Sequence, residues 1–501
     1  MKKTIFTLSI VVLALASQAQ HIYNNGARIV SSGSGSYWVL DNGDFALTSA
    51  SATNLAQFDN LFINNNSSLT LGTVAAPAYL TVSGTLSNNS GTDGLLIPPG
   101  SSLIESSGTD AQITLNIATG EWHLIAVPTS NATAGIFYGH YLQKHSETAN
   151  TYSDITDPGE ILTPMKGYAL WGDLDPAEAT FAGPVNAGNF SFSTTRVNAG
   201  WNLVGNPYPS SIDWDAASGW TKTNVNNAIY IHVDAAKFAT YVGGVATNGG
   251  TRYIAPGQGF FVRASAAGSL SMTNAVRVHN ETPFFKNTCE VVPNLVRLEV
   301  SGNNYRDEAV VRFLSSATGE FDGAYDASKL FGDVAEAAQI YSSGSAELAI
   351  NSLPETDIVP VGVKAGVGGF YIIAATEINN LQFVTLEDTK TGIFTELAKS
   401  AYSFFFNPGE DELRFKLHFS PLGIADNQPE AADIYSYQKT VFVNLKDQVK
   451  GDIYICNISG QLVASVTSAS GMNRIYLANT GNYIVKVVSE KIALVKKAFI
   501  E

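Results

Sequence analysis

Four aromatic residues, Trp201, Tyr208, Trp214 and Trp220, fall within twenty residues, and Asp213 and Asp215 lie among them. Rings flanked by carboxylates and amides can grip sugars. The apolar face of a pyranose lies on the ring, and polar groups take its hydroxyls. Tyr208 stands between Pro207 and Pro209, a rigid turn able to hold a ring outward. Tyr208 and Trp214 are therefore the candidate glycan contacts. The competing use of the same rings is to fill the core of a small β-module, and Trp201, heading an alternating strand, belongs there. Packing is the favoured of the two uses.

Other chemistry is sparse. The chain has no Gly-x-Ser-x-Gly elbow, His-Glu-x-x-His, phosphate-binding loop, Gly-x-Gly-x-x-Gly or Cys-x-x-Cys. No catalytic, cofactor-binding or metal-binding residue is assigned. The closest histidines, His140 and His145, are expected on an exposed loop, where they do not share a face as a zinc pair on a helix would. Asp322 and Asp326, with Asp307 and Glu308, could offer hard oxygen ligands to calcium, the one cofactor left open. Their spacing matches no calcium loop, so turn and capping duties are expected instead. Asp41-Asn42-Gly43-Asp44, between two short apolar runs, is expected to be a hairpin turn.

Charged residues make up only 15% of the chain and the formal net charge is −15. Average domains carry about 25% charged residues. An acidic chain repels phosphate backbones, so nucleic acid is not an expected partner. Cys289 and Cys456 fall in different expected modules, and no disulfide between them is expected.

These residues must be positioned by short strands. Lys2 and Lys3, the apolar run from Ile5 to Ala16, and Ser17-Gln18-Ala19 read as a signal peptide over 1–19, cleaved between Ala19 and Gln20. The run is too short to span a bilayer. Residues 20–118 repeat short apolar runs at Asn60–Ile63, Tyr79–Val82 and Leu95–Ile97, less than twenty residues apart. Such a repeat suggests stacked rungs of a short β-solenoid, with a plain sandwich as the rival. Residues 119–289 contain a duplication. Gly120-Glu121-Trp122-His123-Leu124-Ile125-Ala126-Val127-Pro128 matches Gly200-Trp201-Asn202-Leu203-Val204-Gly205-Asn206-Pro207. Each is followed by a Pro-x-x-Gly-aromatic strand, at Pro164–Trp171 and Pro256–Val262. A Trp-headed strand should enter the core, Pro should stop it, and the later Gly should let a second strand turn in beside it. Residues 290–420 alternate as an immunoglobulin-like sandwich, interrupted by a short helix near Asp326. Residues 421–433 read as a linker. The expected fold is all-β, built of tandem β-modules.

From Ile434 to Glu501, period-two alternation with Gly, Asn and Ser punctuation predicts a small antiparallel β-sandwich. Its "IYS" followed by "VFVNL", its "IYICNISGQLV", its "GNYIVKV" and its terminal "KKAFI" resemble the type A C-terminal sorting domain (Por secretion tail) of the bacterial type IX secretion system. Gly481, Tyr483, Lys496 and Lys497 occupy matching positions of that tail. Two departures stand out: no Pro precedes Gly481-Asn482-Tyr483, and Ala498 interrupts the final aliphatic run. The stretch "GWNLVGNPYPSSIDW" is similar to a repeat common in large exported proteins with such tails. The resemblance covers about the last seventh of the chain. It implies two-step export, with the secretion machinery and its sortase as partners. It also implies a body anchored to surface lipopolysaccharide or released, hence an extracellular or outer-membrane-surface location.

The expected function is non-enzymatic: adhesion, surface architecture or glycan capture, with a glycan or host protein as ligand. The alternative is a hydrolase or lyase acting on polysaccharide. That needs paired carboxylates, or a base with a charge neutraliser. Asp93 is the only acid between Asn60 and Ser102.

Overall fold

The computed structural model describes residues 23–25, 37–48, 56–173, 177–280, 292–421, 432–457, 461–488 and 493–500. The expected cleavage site at Ala19 and Gln20 lies outside them, as does Cys289. The fold is all-β, and its contacts divide it into a unit over 1–419 and a unit over 420–501.

The first unit begins as a parallel β-solenoid with three faces. One face stacks Tyr23–Asn25, Asp44–Thr48, Ser68–Thr73, Leu95–Ile97 and Asp110–Ile117. A second stacks Ala56–Phe58, Tyr79–Val82 and Ser102–Ile104, and the third Tyr37–Leu40, Asn60–Ile63 and Leu86–Asn88. Tyr37 pairs with Asn60 and Leu69 with Leu95, so these turns of the coil take 23 to 26 residues, while the last pairing, Leu96 with Gln112, closes a turn of 16. Alternate side chains point inward, and Leu61, Ile63, Leu71, Leu80, Leu95 and Leu103 are fully buried. The runs at Asn60, Tyr79 and Leu95 that suggested the repeat lie on three different faces and do not stack on one another. Every face needs the same short alternating run, so neighbouring faces mimic a repeat shorter than the true turn. Asp41–Asp44 is a corner and not a hairpin: its flanking strands pair in parallel with different partners. Asn42 turns that corner at φ 49°, a conformation Asn tolerates better than most residues. Coiling stops where Ala177–Pro184 pairs antiparallel with Asp110–Ile117.

The duplicated module follows. Trp122–Ile125 pairs antiparallel with Tyr168–Trp171, and Trp201–Gly205 pairs antiparallel with the start of Gly259–Met272. This is the arrangement the Gly and Pro positions predict. The two copies also exchange hydrogen bonds. Gly205 N donates to Met165 O at 3.0 Å, and at the equivalent place Ala126 N donates to Gly257 O at 2.8 Å. A Cβ on Gly167 would stand 2.6 Å from Val204 O, and one on Gly259 2.9 Å from Ile125 N. Each copy's glycine thus admits the other copy's Trp-headed strand.

Residues 292–419 form a β-sandwich, mostly antiparallel, with a parallel pairing between Tyr305–Phe313 and Glu347–Leu353. Its core includes Val296, Leu298, Val361, Tyr371 and Phe415. Asp388 is buried there in a two-pronged ion pair with Arg414, with contacts of 2.7 and 2.6 Å, and it also accepts the Tyr402 hydroxyl at 2.6 Å. The expected helix near Asp326 is a turn instead. Asp326 N donates to Asp322 O, and Ala327–Ser328 then joins the sheet.

The second unit contains Ala432–Tyr437, Thr440–Asn457, Leu462–Tyr476, Gly481–Val488 and Ala493–Ile500, all paired antiparallel. Ile434, Val443, Ile453, Val485 and Ile500 form its core. Residues 422–431 of the expected linker lie outside the described residues, and the first strand begins two residues before the expected boundary.

Candidate functional site

In the first unit a cleft of about 430 Å³ opens where the last solenoid turns meet the duplicated module. The solenoid supplies Pro77, Tyr79, Pro98 and Pro99, and its last strand, Asp110–Ile117, supplies Leu115 and Ile117. Leu124 and Ile125 come from the first Trp-headed strand, and Pro209, Pro256 and Gly257 from loops of the second copy. Gly257 sits at φ 69°, and a Cβ there would come 2.3 Å from Leu115 Cδ1. Close approach of this loop to the strand Asp110–Ile117 therefore needs glycine twice over, for the left-handed backbone and for space.

A buried arginine ties together the segments that carry the lining residues Ser102 and Pro209. Arg277 donates to Leu103 O at 2.7 Å and to Glu105 O at 2.6 Å, joining the solenoid to the module. Its Nε donates to Ser210 Oγ at 3.1 Å, and its guanidinium lies 4.8 Å from the Tyr208 ring centroid. Two residues on, the His279 ring bridges Ser102 Oγ at 2.8 Å and Thr81 Oγ1 at 2.9 Å, hydroxyls from neighbouring turns of one solenoid face. Burial, helped by the Arg277 charge, lowers the His279 pKa to about 4. A serine beside a histidine suggests a nucleophile. This histidine is a poor base, and its second nitrogen is occupied by Thr81 and not by an orienting carboxylate.

That low pKa predicts a pH effect on stability. An unfolded histidine protonates near 6.5, at a pH where the folded His279 remains neutral. Between the two values the unfolded chain binds more protons, so stability falls as pH drops from about 6.5 to about 4. His279→Asn should flatten that part of the dependence of the unfolding midpoint on pH. An unchanged slope would assign it to other groups.

Tyr208 and Trp214 do not reach solvent: their exposures are 0% and 1%. The Tyr208 hydroxyl donates to Gly188 O at 2.6 Å. Trp214 Nε1 donates to Asn227 O at 2.8 Å, and Lys222 Nζ lies 3.6 Å from its ring centroid. Both rings are core, and the glycan-contact assignment is corrected on that ground. The proline-flanked turn points Tyr208 inward because Arg277 and Phe190 pack on its ring. Trp201 stacks edge-on against Tyr230 at 4.7 Å, a packing role as expected.

The acids suggested for calcium have other partners. Asp326 accepts from the backbone N–H groups of Asp322 and Ser352, both at 2.7 Å, and burial raises its pKa to about 6. Asp307 is buried against Lys329, and Glu308 pairs with Arg297 at 3.2 Å. His140 accepts from Asp173 N at 3.1 Å, while His145 lies on a strand, half-buried against Tyr152 and Phe261. Glu147 is an acid that sequence reasoning passed over. Burial would raise its pKa, but N–H donors of Val197, Gly200 and Asn198 and the Thr195 hydroxyl outweigh this and hold it at about 2. It ties the first copy to the loop that opens the second. In the second unit, Tyr483 is buried, with its hydroxyl on Asn479 O at 2.9 Å, while Lys496 and Lys497 are exposed.

No line of the sequence brings Pro77, Pro98, Pro209 and Pro256 together; only the coil and the duplication do. Residues 45–419 match the family described as Domain of unknown function (DUF8693), and the chain belongs to that family. The matched span ends where the first compact unit ends. No curated protein matches the chain.

Proposed function

We propose that this chain is a non-enzymatic capture protein of the cell surface or the surrounding medium, delivered by type IX secretion. The observation that carries the reading is the second unit. The stretch resembling a sorting domain, 434–501, nearly coincides with a compact β-unit over 420–501 that follows the family domain. In this reading the exposed Lys496 and Lys497 are offered to the secretion machinery and its sortase, while Gly481 and the buried Tyr483 shape the strand that supports them. The body is then anchored to lipopolysaccharide or released, and it holds its ligand in the cleft. Among the described residues, those lining that cleft include no Asp or Glu, where cleavage of a polysaccharide would call for a converging pair.

The test is export from a bacterium that has the system. The full chain should reach the surface or medium shortened by the tail. A chain lacking 434–501 should stay in the periplasm, and Lys496→Ala/Lys497→Ala should reach the exterior several-fold less. Equal export with and without the tail would sink the reading.

A further inference from the structure

We infer that the cleft between the solenoid and the duplicated module binds a neutral, predominantly apolar small molecule, and neither a sugar nor an anion. The inference rests on the reading of the body as a capture module and names the ligand class of that site.

The first argument concerns hydrogen-bond donors. Pro77, Pro98, Pro99, Pro209 and Pro256 line the cleft, and proline has no backbone N–H. A wall built this way offers carbonyl acceptors and little to a carboxylate, sulfate or phosphate. Among the described residues the lining also holds no Lys or Arg to balance an anion, and no Asp or Glu to attract a cation.

The second argument concerns hydroxyls. A sugar needs several polar partners placed around it, with a ring face beneath. Three of the hydroxyls lining this cleft are already engaged within the protein. Ser101 Oγ donates to Leu71 O, Ser102 Oγ is bonded to His279, and Thr114 Oγ1 is bonded to Thr180. The rest of the lining is mainly aliphatic and proline surface, including Leu115, Ile117 and Val74, with Asn116 and His123 among its few polar side chains. Such a cavity, mostly apolar with a few fixed polar groups, is the usual seat of a small ligand.

The third argument concerns shape. Each proline ring fixes its own φ, so the five prolines stiffen the walls and keep the cleft open when it is empty. A preformed apolar site costs its ligand little ordering.

The experiment titrates the purified full chain with three probes. These are Nile red, a neutral apolar dye; 1-anilinonaphthalene-8-sulfonate, an anionic one; and cellohexaose, a neutral sugar. Nile red should bind one per chain with blue-shifted emission, at least tenfold more tightly than the anionic dye, and cellohexaose should not bind. Leu115→Trp fills the cleft from its wall. Val74→Trp narrows it at the rim, where Val74 is 61% exposed and the change should leave folding intact. Either should weaken Nile red at least tenfold, and Val74→Trp should do so without lowering the melting temperature. If Leu115→Trp does not fold, Val74→Trp alone decides.

The inference is overturned by the absence of saturable Nile red binding, or by binding that Val74→Trp leaves unchanged. Tighter binding of the anionic dye would overturn neutrality. Cellohexaose binding lost in the cleft variants would overturn the ligand class and leave the capture reading standing. Failed export with intact dye binding would do the reverse.

Discussion

Gly205→Ala should destabilise the first unit by about 3 kcal/mol, at the upper end for an overpacked core. A Cβ on Gly205 would lie 2.3 Å from the Cβ of Ala126, the residue at the equivalent place in the other copy. Ala126 is fully buried, and its methyl is fixed to a strand that hydrogen-bonds the second copy's loop. Neither side can yield by turning a side chain, so the backbones must separate. All six tryptophans lie between Trp38 and Trp220, so their emission during a urea titration reports the first unit alone. The double variant Ala126→Gly/Gly205→Ala moves the methyl across the contact and should recover most of the loss. That coupling is what a double-mutant cycle measures. Gly319→Ala, with nothing within 4 Å of the added carbon, is the control and should change little. A single variant as stable as the parent would mean that the two copies are not packed as closely as described.

The duplication was legible because its chemistry is local. Trp heads a strand, Pro ends it, and a glycine follows where another backbone must pass. The exchange between copies was not legible. It depends on Met165 and Gly257 sharing a left-handed backbone, at φ 65° and 69°. Nothing about a methionine announces that conformation, which for most side chains is uncommon. The solenoid was legible as a class and misread in period. Its three faces use the same alternating run, and only the parallel pairing of Leu61 with Leu86, or Leu69 with Leu95, tells one face from another. The aromatic cluster shows the limit of composition. Trp214 and Tyr208 have the residue types of a sugar platform, and burial decides against it. The cleft was invisible for the complementary reason. Its prolines look like ordinary turn residues until the coil sets one turn's corner against the loops of another module.

Arg277→Met should cost about 4 kcal/mol, because buried carbonyls left without donors cost about 1–3 kcal/mol each. Arg277 is 6% exposed and serves Leu103 O, Glu105 O and Ser210 Oγ at once, with the Tyr208 ring beneath it. Methionine matches the volume but donates to none of them. The loss should fall on the junction between solenoid and module, so limited proteolysis should become faster between residues 98 and 120 before it does elsewhere. Arg277→Lys separates two causes. If a positive charge were enough, lysine would restore stability. If the planar fork matters, lysine reaches one carbonyl at most and recovers less than half the loss. The geometry favours the fork, since Nη1 and Nη2 address two carbonyls that project from one solenoid strand and the residue after it. The same substitution tests the ligand site, because the groups Arg277 ties down adjoin Ser102, Pro209 and Ser211, which line the cleft. Nile red affinity should fall with Arg277→Met and recover in Arg277→Lys only as far as stability does. Stability and affinity that moved independently would show that the cleft keeps its shape without the clamp.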